Sequence, residues 1–573
     1  MTSPGTWIGH RPDDPWFWEH WHLSGLGLLL AMAWVITSMS PSLLPRTWWT
    51  QGLVMGACAA AGYGAGVLLH QLARWVTRLL DLRVTIGRHQ RNILALAVPL
   101  VLIVVFVWSA VANIRSQAVT AGLVELQPLT PLDWGVALAL MVVVFALLIG
   151  LARLTRRWYR GITSRATRFM SHAVAGVAAV LVIALVSATF TDLVVVRTVS
   201  GVIGRLAAAT DQSEPAGRSA PTSPLRSAGP GSTEAWDSLG YEGQRFVSGA
   251  PRTEQIATGL GVDATTVLEP IRVYASINAH DTLAATAAAV VQELERTHAF
   301  DRRVLAVFTT TGTGWVNEWS TQSIEYLTGG DSAIAAIQYS DLPSPVALFA
   351  DRATPQEAGA ALFNAVYAAW SAKPAASRAQ LVVAGESLGV VGGTAAFTSV
   401  EDMLARTQGA VWSGGPSFTP MVSTLMSDRN PGSPQILPVI DSGRHIRFST
   451  GRAGLESDLY GRSYAAWESP RLVFVQHPSD PIVWWNPTSL TAEPDWLKET
   501  RGDDVLPGLR WVPFVTFFQL SSDMAVGLSP SGGHGHRYWS NDLLPAWQAV
   551  LDITPTDPAA LVKTMTITVS TDE

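Results

Sequence analysis

Five stretches of the chain run almost without polar side chains, at about 23–39, 52–69, 93–113, 134–152 and 173–191. Each has at least 17 residues, within the range of roughly 17–25 that a transmembrane helix uses to cross a ~30 Å hydrocarbon layer. They predict a five-helix transmembrane bundle within residues 1–205. The first run follows Asp13, Asp14 and Glu19, lacks a small-residue cleavage site and precedes further spans, so a retained anchor is expected rather than a removable signal. Past the last span the pattern changes: residues 206–235 are dominated by Ala, Ser, Pro, Gly and Thr and predict a flexible linker.

From 236 to 573 short β-branched or aromatic runs alternate with longer helical ones. IRVYASI (271–277), RVLAVFTT (303–310), AIAAIQYS (333–340), LVVAG (381–385), AVWSGG (410–415), RLVFVQH (471–477) and FVTFFQL (514–520) read as strands. Helices are expected near 281–298, 318–328 and 355–371, and from 388. Continuous apolar strands spaced by helices predict an α/β domain with a mostly parallel sheet covered on both faces. The step from 415 to 471 holds Pro431, Gly432, Pro434, Pro438 and a strand-like HIRFST (445–450), and predicts a cap at 416–470 over an active site.

Composition sharpens this division. The chain is 48% hydrophobic and only 15% charged, which a wholly soluble enzyme would not be. A net charge of -6 offers no basic surface to a nucleic-acid backbone, and the single cysteine, Cys58, allows neither a disulfide framework nor a thiolate metal cluster. Arginines crowd two of the four short loops: Arg74, Arg78, Arg83, Arg88 and Arg91 after the second span, then Arg153, Arg156, Arg157, Arg160, Arg165 and Arg168 after the fourth. The other two loops carry Arg46 and Arg115 alone. The positive-inside rule then places the N-terminus in the cytoplasm and everything after the fifth span outside the cell membrane.

Candidate chemistry lies in the outer half. Gly385-Glu386-Ser387-Leu388-Gly389 fits G-x-S-x-G, follows an apolar strand and leads into a helical stretch. Its small residues permit a sharp turn that lifts the Ser387 hydroxyl above the sheet as a nucleophile. An acid and then a histidine should follow, each after a later strand. Asp480, after strand 471–477, is the expected acid, with Asp503, Asp504 and Asp523 as weaker candidates and an N-cap role before Pro481 as the alternative. In Ser531-Gly532-Gly533-His534-Gly535-His536 one imidazole should exchange the proton; the pattern leans to His536 and leaves His534 open. His-x-His also fits a metal, with His445 or His477 as third ligand, although no H-E-x-x-H or carboxylate-rich pattern supports one, and no cofactor is expected. Oxyanion donors are expected from the Leu388 amide and from the loop Thr311-Gly312-Thr313-Gly314-Trp315, whose spelling also suits a phosphate cradle or a tight turn.

Six strings together carry a resemblance: PSLLPR (41–46), EPIRVYAS (269–276), TGTGWVNEW (311–319), GESLG (385–389), PSDPIVWW (478–485) and GHGHRYW (533–539). Over nearly its full length the chain resembles the bacterial membrane-anchored α/β-hydrolases once grouped as a domain of unknown function, which include hydrolases of aminoacylated phosphatidylglycerol. The resemblance implies a Ser-His-Asp esterase outside the membrane that removes an amino acid such as alanine from the lipid's glycerol ester. Ser387 and Asp480 match its pattern directly, while GHGH matches without selecting a ring. The partners implied are the bilayer and a membrane-lipid substrate. Glu386, Trp315 and Trp484 are candidate substrate contacts, Glu386 for the aminoacyl ammonium or else as a buried structural carboxylate. Trp484, Trp485, Trp496 and Trp511 suit either an interfacial aromatic surface or core packing. Two rivals stand beside this reading: another extracytoplasmic lipid or cell-envelope esterase using the same triad, and a lipid-handling membrane module with a non-catalytic hydrolase-like domain. Against the second, the spans hold few ionisable residues, with His70, His172 and Asp192 near their ends.

Overall fold

The computed structural model describes residues 23–81, 87–190, 210–344, 346–347, 351 and 353–570. Asp13, Asp14, Glu19, Arg83, Asp192 and the first part of the expected linker, 206–209, lie outside these. The chain forms two compact units, one of Met1–Leu185 with Trp485–Ser531 and one of Val186–Trp484 with Gly532–Glu573.

The first unit holds helices α1 (Gly25–Ser38), α2 (Trp48–Leu79), α3 (Arg88–Leu123), α4 (Pro131–Ala166) and α5 (His172–Phe190) up to Leu185. Four of them, α2 to α5, are long and apolar enough to cross a membrane, where five spans were expected. Helix α1 has 14 residues, about 21 Å of rise, which falls short of a ~30 Å layer. Its apolar run is cut at Met39, where the chain turns through Ser40 and Pro41. Small residues let the helices close up: a Cβ on Gly62 or Gly66 would stand 2.6 Å from the carbonyl oxygen of Leu30 or Leu26 on α1.

Residues 485–531, expected within the soluble domain, belong to this unit. Val515–Met524 is a helix where FVTFFQL predicts a strand. Its buried positions Val515, Gln519, Leu520 and Asp523 recur at helical spacing, a distinction that a short apolar run cannot show. Gln519 Nε2 donates to the carbonyl oxygens of Ser38 (3.3 Å) and Ser40 (3.1 Å). The Asp523 carboxylate accepts from the Ser42 hydroxyl and from the Leu43 amide at 3.1 Å. Arg46, fully buried, donates to Ser38 O at 2.8 Å, Gln51 Oε1 at 3.0 Å and Ser40 O at 3.1 Å. The PSLLPR string is thus the turn after α1, whose carbonyls find their partners in Arg46 and Gln519.

The second unit is built on a seven-stranded sheet of order β1-β3-β2-β4-β5-β7-β6 with every pair parallel. The strands are β1 (Ile271–Ser276), β2 (Val304–Thr309), β3 (Ser332–Gln338), β4 (Gln380–Glu386), β5 (Gly409–Ser413), β6 (Ile446–Ser449) and β7 (Arg471–Val475). Helices α6 (Leu283–Arg296), α7 (Glu318–Leu327), α8 (Ala353–Ser371), α9 (Leu388–Thr394) and α10 (Ser540–Leu551) cover it. Nearly every strand residue is buried, as continuous apolar runs in a covered parallel sheet require.

Two expected boundaries shift. HIRFST supplies β6, which pairs with β7 at the sheet edge, so part of the 416–470 segment extends the sheet. Residues 210–235, expected as linker, pack on the unit. The Ser227 amide donates to Arg272 O at 3.1 Å, and the hydroxyls of Ser227 and Ser232 donate to Glu293. The same Ser and Thr content that leaves a segment poor in apolar surface equips it to satisfy polar groups along a sheet edge.

Candidate active site

The carboxyl ends of the central strands converge on one turn. Strand β4 runs into Ser387, which holds φ 56° and ψ -115° before α9 begins. A non-glycine residue at positive φ is strained, and such strain gathers at functional turns. The flanking glycines are required by packing. A Cβ on Gly385 would lie 2.6 Å from the Gly389 backbone, and one on Gly389 would lie 2.2 Å from Thr309 O. The Ser387 amide donates to Ser413 O on β5 at 3.0 Å, which ties the turn to the neighbouring strand.

Of the two candidate histidines, His536 is the one whose ring meets the acid: its Nδ1 lies 2.6 Å from Asp480 Oδ2, with both side chains buried. A nitrogen facing a carboxylate carries the proton, which leaves Nε2 as the basic atom. That Nε2 is buried and has no hydrogen-bond partner among the described residues. Asp480 Oδ1 accepts the amide of Ile482 at 2.8 Å, and Oδ2 also accepts the Tyr538 hydroxyl at 2.7 Å. His534 is half-buried two residues back. Asp503, Asp504 and Asp523 lie in the other unit. Gly414 is shaped to this arrangement: it holds φ 61°, and a Cβ there would stand 2.6 Å from His536 Cε1.

Burial opposes the charged form of His536. The Asp480 carboxylate, its hydrogen bond and the nearby Glu386 outweigh that effect, so the imidazole titrates above its ordinary value. Glu386 is itself pushed up to about 7, chiefly by burial. The structure does not turn it toward an open pocket. Its Oε2 accepts from Asn317 Nδ2 at 2.7 Å and from the Ser413 hydroxyl at 3.0 Å. It lines, with Thr309, Thr311, Trp315 and Gly385, a cavity of about 10 Å³, room for about one water.

The loop after β2 lies beside the strand that leads to Ser387, since β2 pairs with β4. Two amides expected as oxyanion donors are engaged elsewhere: Gly312 donates to Ser344 Oγ at 3.3 Å, and Gly314 to Thr311 O at 3.1 Å. Tight packing accounts for both glycines, because a Cβ on Gly312 would meet Leu342 O, and one on Gly314 the Tyr274 hydroxyl, each at 2.2 Å. Leu388 opens α9, so its amide has no intrahelical acceptor. Leu388 and Thr313 therefore remain as the oxyanion candidates.

The sequence gives no direct sign of the residues that hold this site together. Asn317 caps α7, with Oδ1 accepting from Trp319 N at 2.9 Å, while its Nδ2 bonds Glu386 and the Tyr538 carbonyl. Gly535, one residue before His536, is clamped on both sides. Its amide donates to Ser479 Oγ at 2.9 Å, and its carbonyl lies 2.9 Å from His477 Nδ1. His477 Nε2 stands 3.1 Å from Asp542 Oδ1, and its ring stacks on Tyr538 with centroids 4.3 Å apart. The sequence offers His477 only as a third ligand for a metal, and here the ring clamps the Gly535 carbonyl instead. Trp484, a candidate substrate contact, is buried and donates to His477 O at 3.1 Å. Trp485 and Trp496 are buried too, so packing takes these side chains away from any interfacial surface.

A parallel α/β sheet with a G-x-S-x-G turn and a buried His-Asp pair defines the class. A family model described as "Alpha/beta-hydrolase family" matches residues 271–563, and one described as that family's N-terminus matches residues 39–251. The chain belongs to the α/β-hydrolase family, and the four long apolar helices among the described residues mark it as membrane-associated. No curated protein and no solved structure matches it.

Proposed function

We propose that the chain is a serine hydrolase of lipid esters in which Ser387, His536 and Asp480 form the triad, and that its substrate is aminoacylated phosphatidylglycerol. The observation that carries the reading is His536, oriented by Asp480 through Nδ1 and with no partner for Nε2 among the described residues, together with a serine held at positive φ whose amide is tied to Ser413, next to the Gly414 that packs on the His536 ring. Ser387 Oγ attacks the aminoacyl carbonyl as His536 Nε2 takes its proton. The Leu388 and Thr313 amides receive the developing oxyanion, and the lipid glycerol leaves with the proton from His536. Water activated by the same imidazole then releases the amino acid and restores Ser387.

The aminoacyl ester is favoured over other lipid esters by the resemblance that the six strings carry. The positive-inside rule applied to four spans keeps the hydrolase unit outside the cell membrane and moves the segment before α2 to the same side. Gln519 and Asp523 support this side, because both hold the turn between α1 and α2, opposite the arginine-rich loops.

The test is lipid mass spectrometry on vesicles containing alanyl- and lysyl-phosphatidylglycerol, incubated with the full chain or with Ser387→Ala. Loss of aminoacyl lipid with matching free amino acid, from the wild type alone, is the expected result. Release of lysolipid or fatty acid with intact aminoacyl lipid would transfer the triad to another ester, and no change in any lipid would overturn the hydrolase reading.

A further inference from the structure

Within the first unit a cavity of about 340 Å³ opens between the end of α1 and one face of α3. Ile36, Met39, Pro41, Trp108 and Ala112 make its walls apolar. Its volume falls in the range of ligand-binding pockets. Asn113 lines it and is 2% exposed, yet neither its Nδ2 nor its Oδ1 has a hydrogen-bond partner among the described residues. A buried amide with both ends unsatisfied in native packing calls for an explanation, since such groups are nearly always paired. The hydroxyls of Ser40, Ser109 and Ser116 also line the cavity, and none of them bonds the Asn113 side chain: Ser116 Oγ donates to the backbone carbonyl of Asn113 at 2.9 Å, and Ser40 Oγ accepts from Gln519 at 3.1 Å.

The surroundings name the ligand's chemistry. Val104, Val105, Val107 and Val111 are exposed on α3, and Trp108 is 71% exposed at the cavity, so the medium outside is the bilayer. The apolar run of α3 ends at Asn113; Arg115 and Gln117 follow, so the amide sits at the level where hydrocarbon gives way to headgroups. Its two orphan atoms need a donor and an acceptor together. A hydroxyl supplies both, whereas an ester or phosphodiester oxygen only accepts.

We propose that this cavity binds a membrane lipid whose headgroup carries a hydroxyl, with the hydroxyl paired to Asn113 and an acyl chain lying along Trp108 and Met39. The site lies in the first unit and goes beyond the hydrolase reading, because it uses neither Ser387 nor His536.

The full chain, reconstituted in phosphatidylcholine vesicles, is irradiated with trace phosphatidylglycerol carrying a diazirine on its acyl chain, and the adducts are mapped by peptide mass spectrometry. The same measurement is made with diazirine phosphatidylcholine, whose headgroup has no hydroxyl. The expected result is phosphatidylglycerol labelling concentrated on 36–41 and 108–116, at least tenfold above phosphatidylcholine. Asn113→Leu should erase that preference, and Ala112→Phe, which fills the cavity and leaves the amide in place, should erase the labelling. Thermal melting of both variants identifies any that does not fold. Equal labelling by both lipids, labelling spread over all exposed span surfaces, or a preference that survives in folded Asn113→Leu would overturn the proposal. Neither probe is an aminoacyl ester, so the outcome is independent of whether Ser387 hydrolyses one.

Discussion

Nδ1 of His536 and Oδ2 of Asp480 stand 2.6 Å apart, although residues 485–531 between them are built into the other unit. The pair is closed at the two roots of that excursion, and Tyr538 is the strut. Its hydroxyl meets the same carboxylate oxygen at 2.7 Å. Asp480→Asn presents an amide where a carboxylate fixed the histidine tautomer, and kcat should fall roughly 10³–10⁴-fold. Tyr538→Phe removes one hydrogen bond to a charged group, so a loss of about tenfold is expected. Without that donor the carboxylate acts more strongly on His536, and the acid limb of the rate profile should move to higher pH. An unchanged limb would show that Tyr538 serves packing alone.

The pH profile itself has a definite sign. The proposed triad uses neutral His536 as its general base, and the pKa of that imidazole is raised by Asp480 and Glu386 against the effect of burial. Activity should therefore fall on acidification through a pKa above the ordinary histidine value. Glu386→Gln takes away one of the two negative charges and should shift that limb to lower pH, with the Asn317 contact kept by the amide oxygen. A limb unmoved by Glu386→Gln would remove Glu386 from the electrostatics of the site.

His477 should act through His536 without touching substrate. Its ring stands between two fixed groups, with Nδ1 2.9 Å from the Gly535 carbonyl oxygen and Nε2 3.1 Å from Asp542 Oδ1. His477→Gln loosens the Gly535 clamp, and small misplacement of a catalytic group is costly; kcat should drop about 10–100-fold with KM unchanged. A rise in KM alone would place His477 in substrate binding, and no kinetic change would make the clamp dispensable.

How much of this the sequence displays depends on the range of the interaction. Ser387 and its glycines are legible because strand, turn and helix are contiguous and the packing that requires Gly385 is local, although Gly389 also answers to Thr309 O on β2. Strands β1 to β5 and β7 are legible because burial on both faces leaves unbroken apolar runs. Helix α1 misleads, since its apolar run looks like a span until the turn at Ser40 and Pro41 shortens it. FVTFFQL misleads for the opposite reason: seven residues fit strand and helix alike, and only contact with the α1–α2 turn selects the helix. The bracing roles of Tyr538, Asn317 and His477 are invisible because each acts across more than fifty positions of chain, as Tyr538 does on Asp480 with a separation of 58.

The EPIRVYAS string conceals a structural role that is equally testable. Arg272 on β1 is fully buried; it forks to Glu325 at 2.8 and 2.9 Å and reaches Glu318 at 3.0 Å. Removing one partner strands the buried carboxylates, so Arg272→Ala should cost about 3–5 kcal/mol of stability. Chemical denaturation followed by tryptophan fluorescence measures it, and a loss under about 1 kcal/mol would mean that solvent reaches the site.

Asp523 gives the first unit its own pH dependence. The carboxyl is pushed up to about 6, first by burial and against the pull of Arg46 and its hydrogen bonds from Ser42, Leu43 and Leu44. In the unfolded chain it titrates near 3.8. Between those values the folded state holds a proton that the unfolded state has released, so folding stability declines as pH rises from about 4 through about 6. Asp523→Asn keeps an oxygen for the Leu43 amide and removes the titration. The melting temperature of the purified chain in detergent should therefore fall less for Asp523→Asn than for the wild type between pH 4 and 7, and other titrating groups cancel in that difference. Parallel curves would mean that the carboxylate is hydrated in the folded state, and the contact between the 485–531 excursion and the PSLLPR turn would then be looser than its hydrogen bonds indicate.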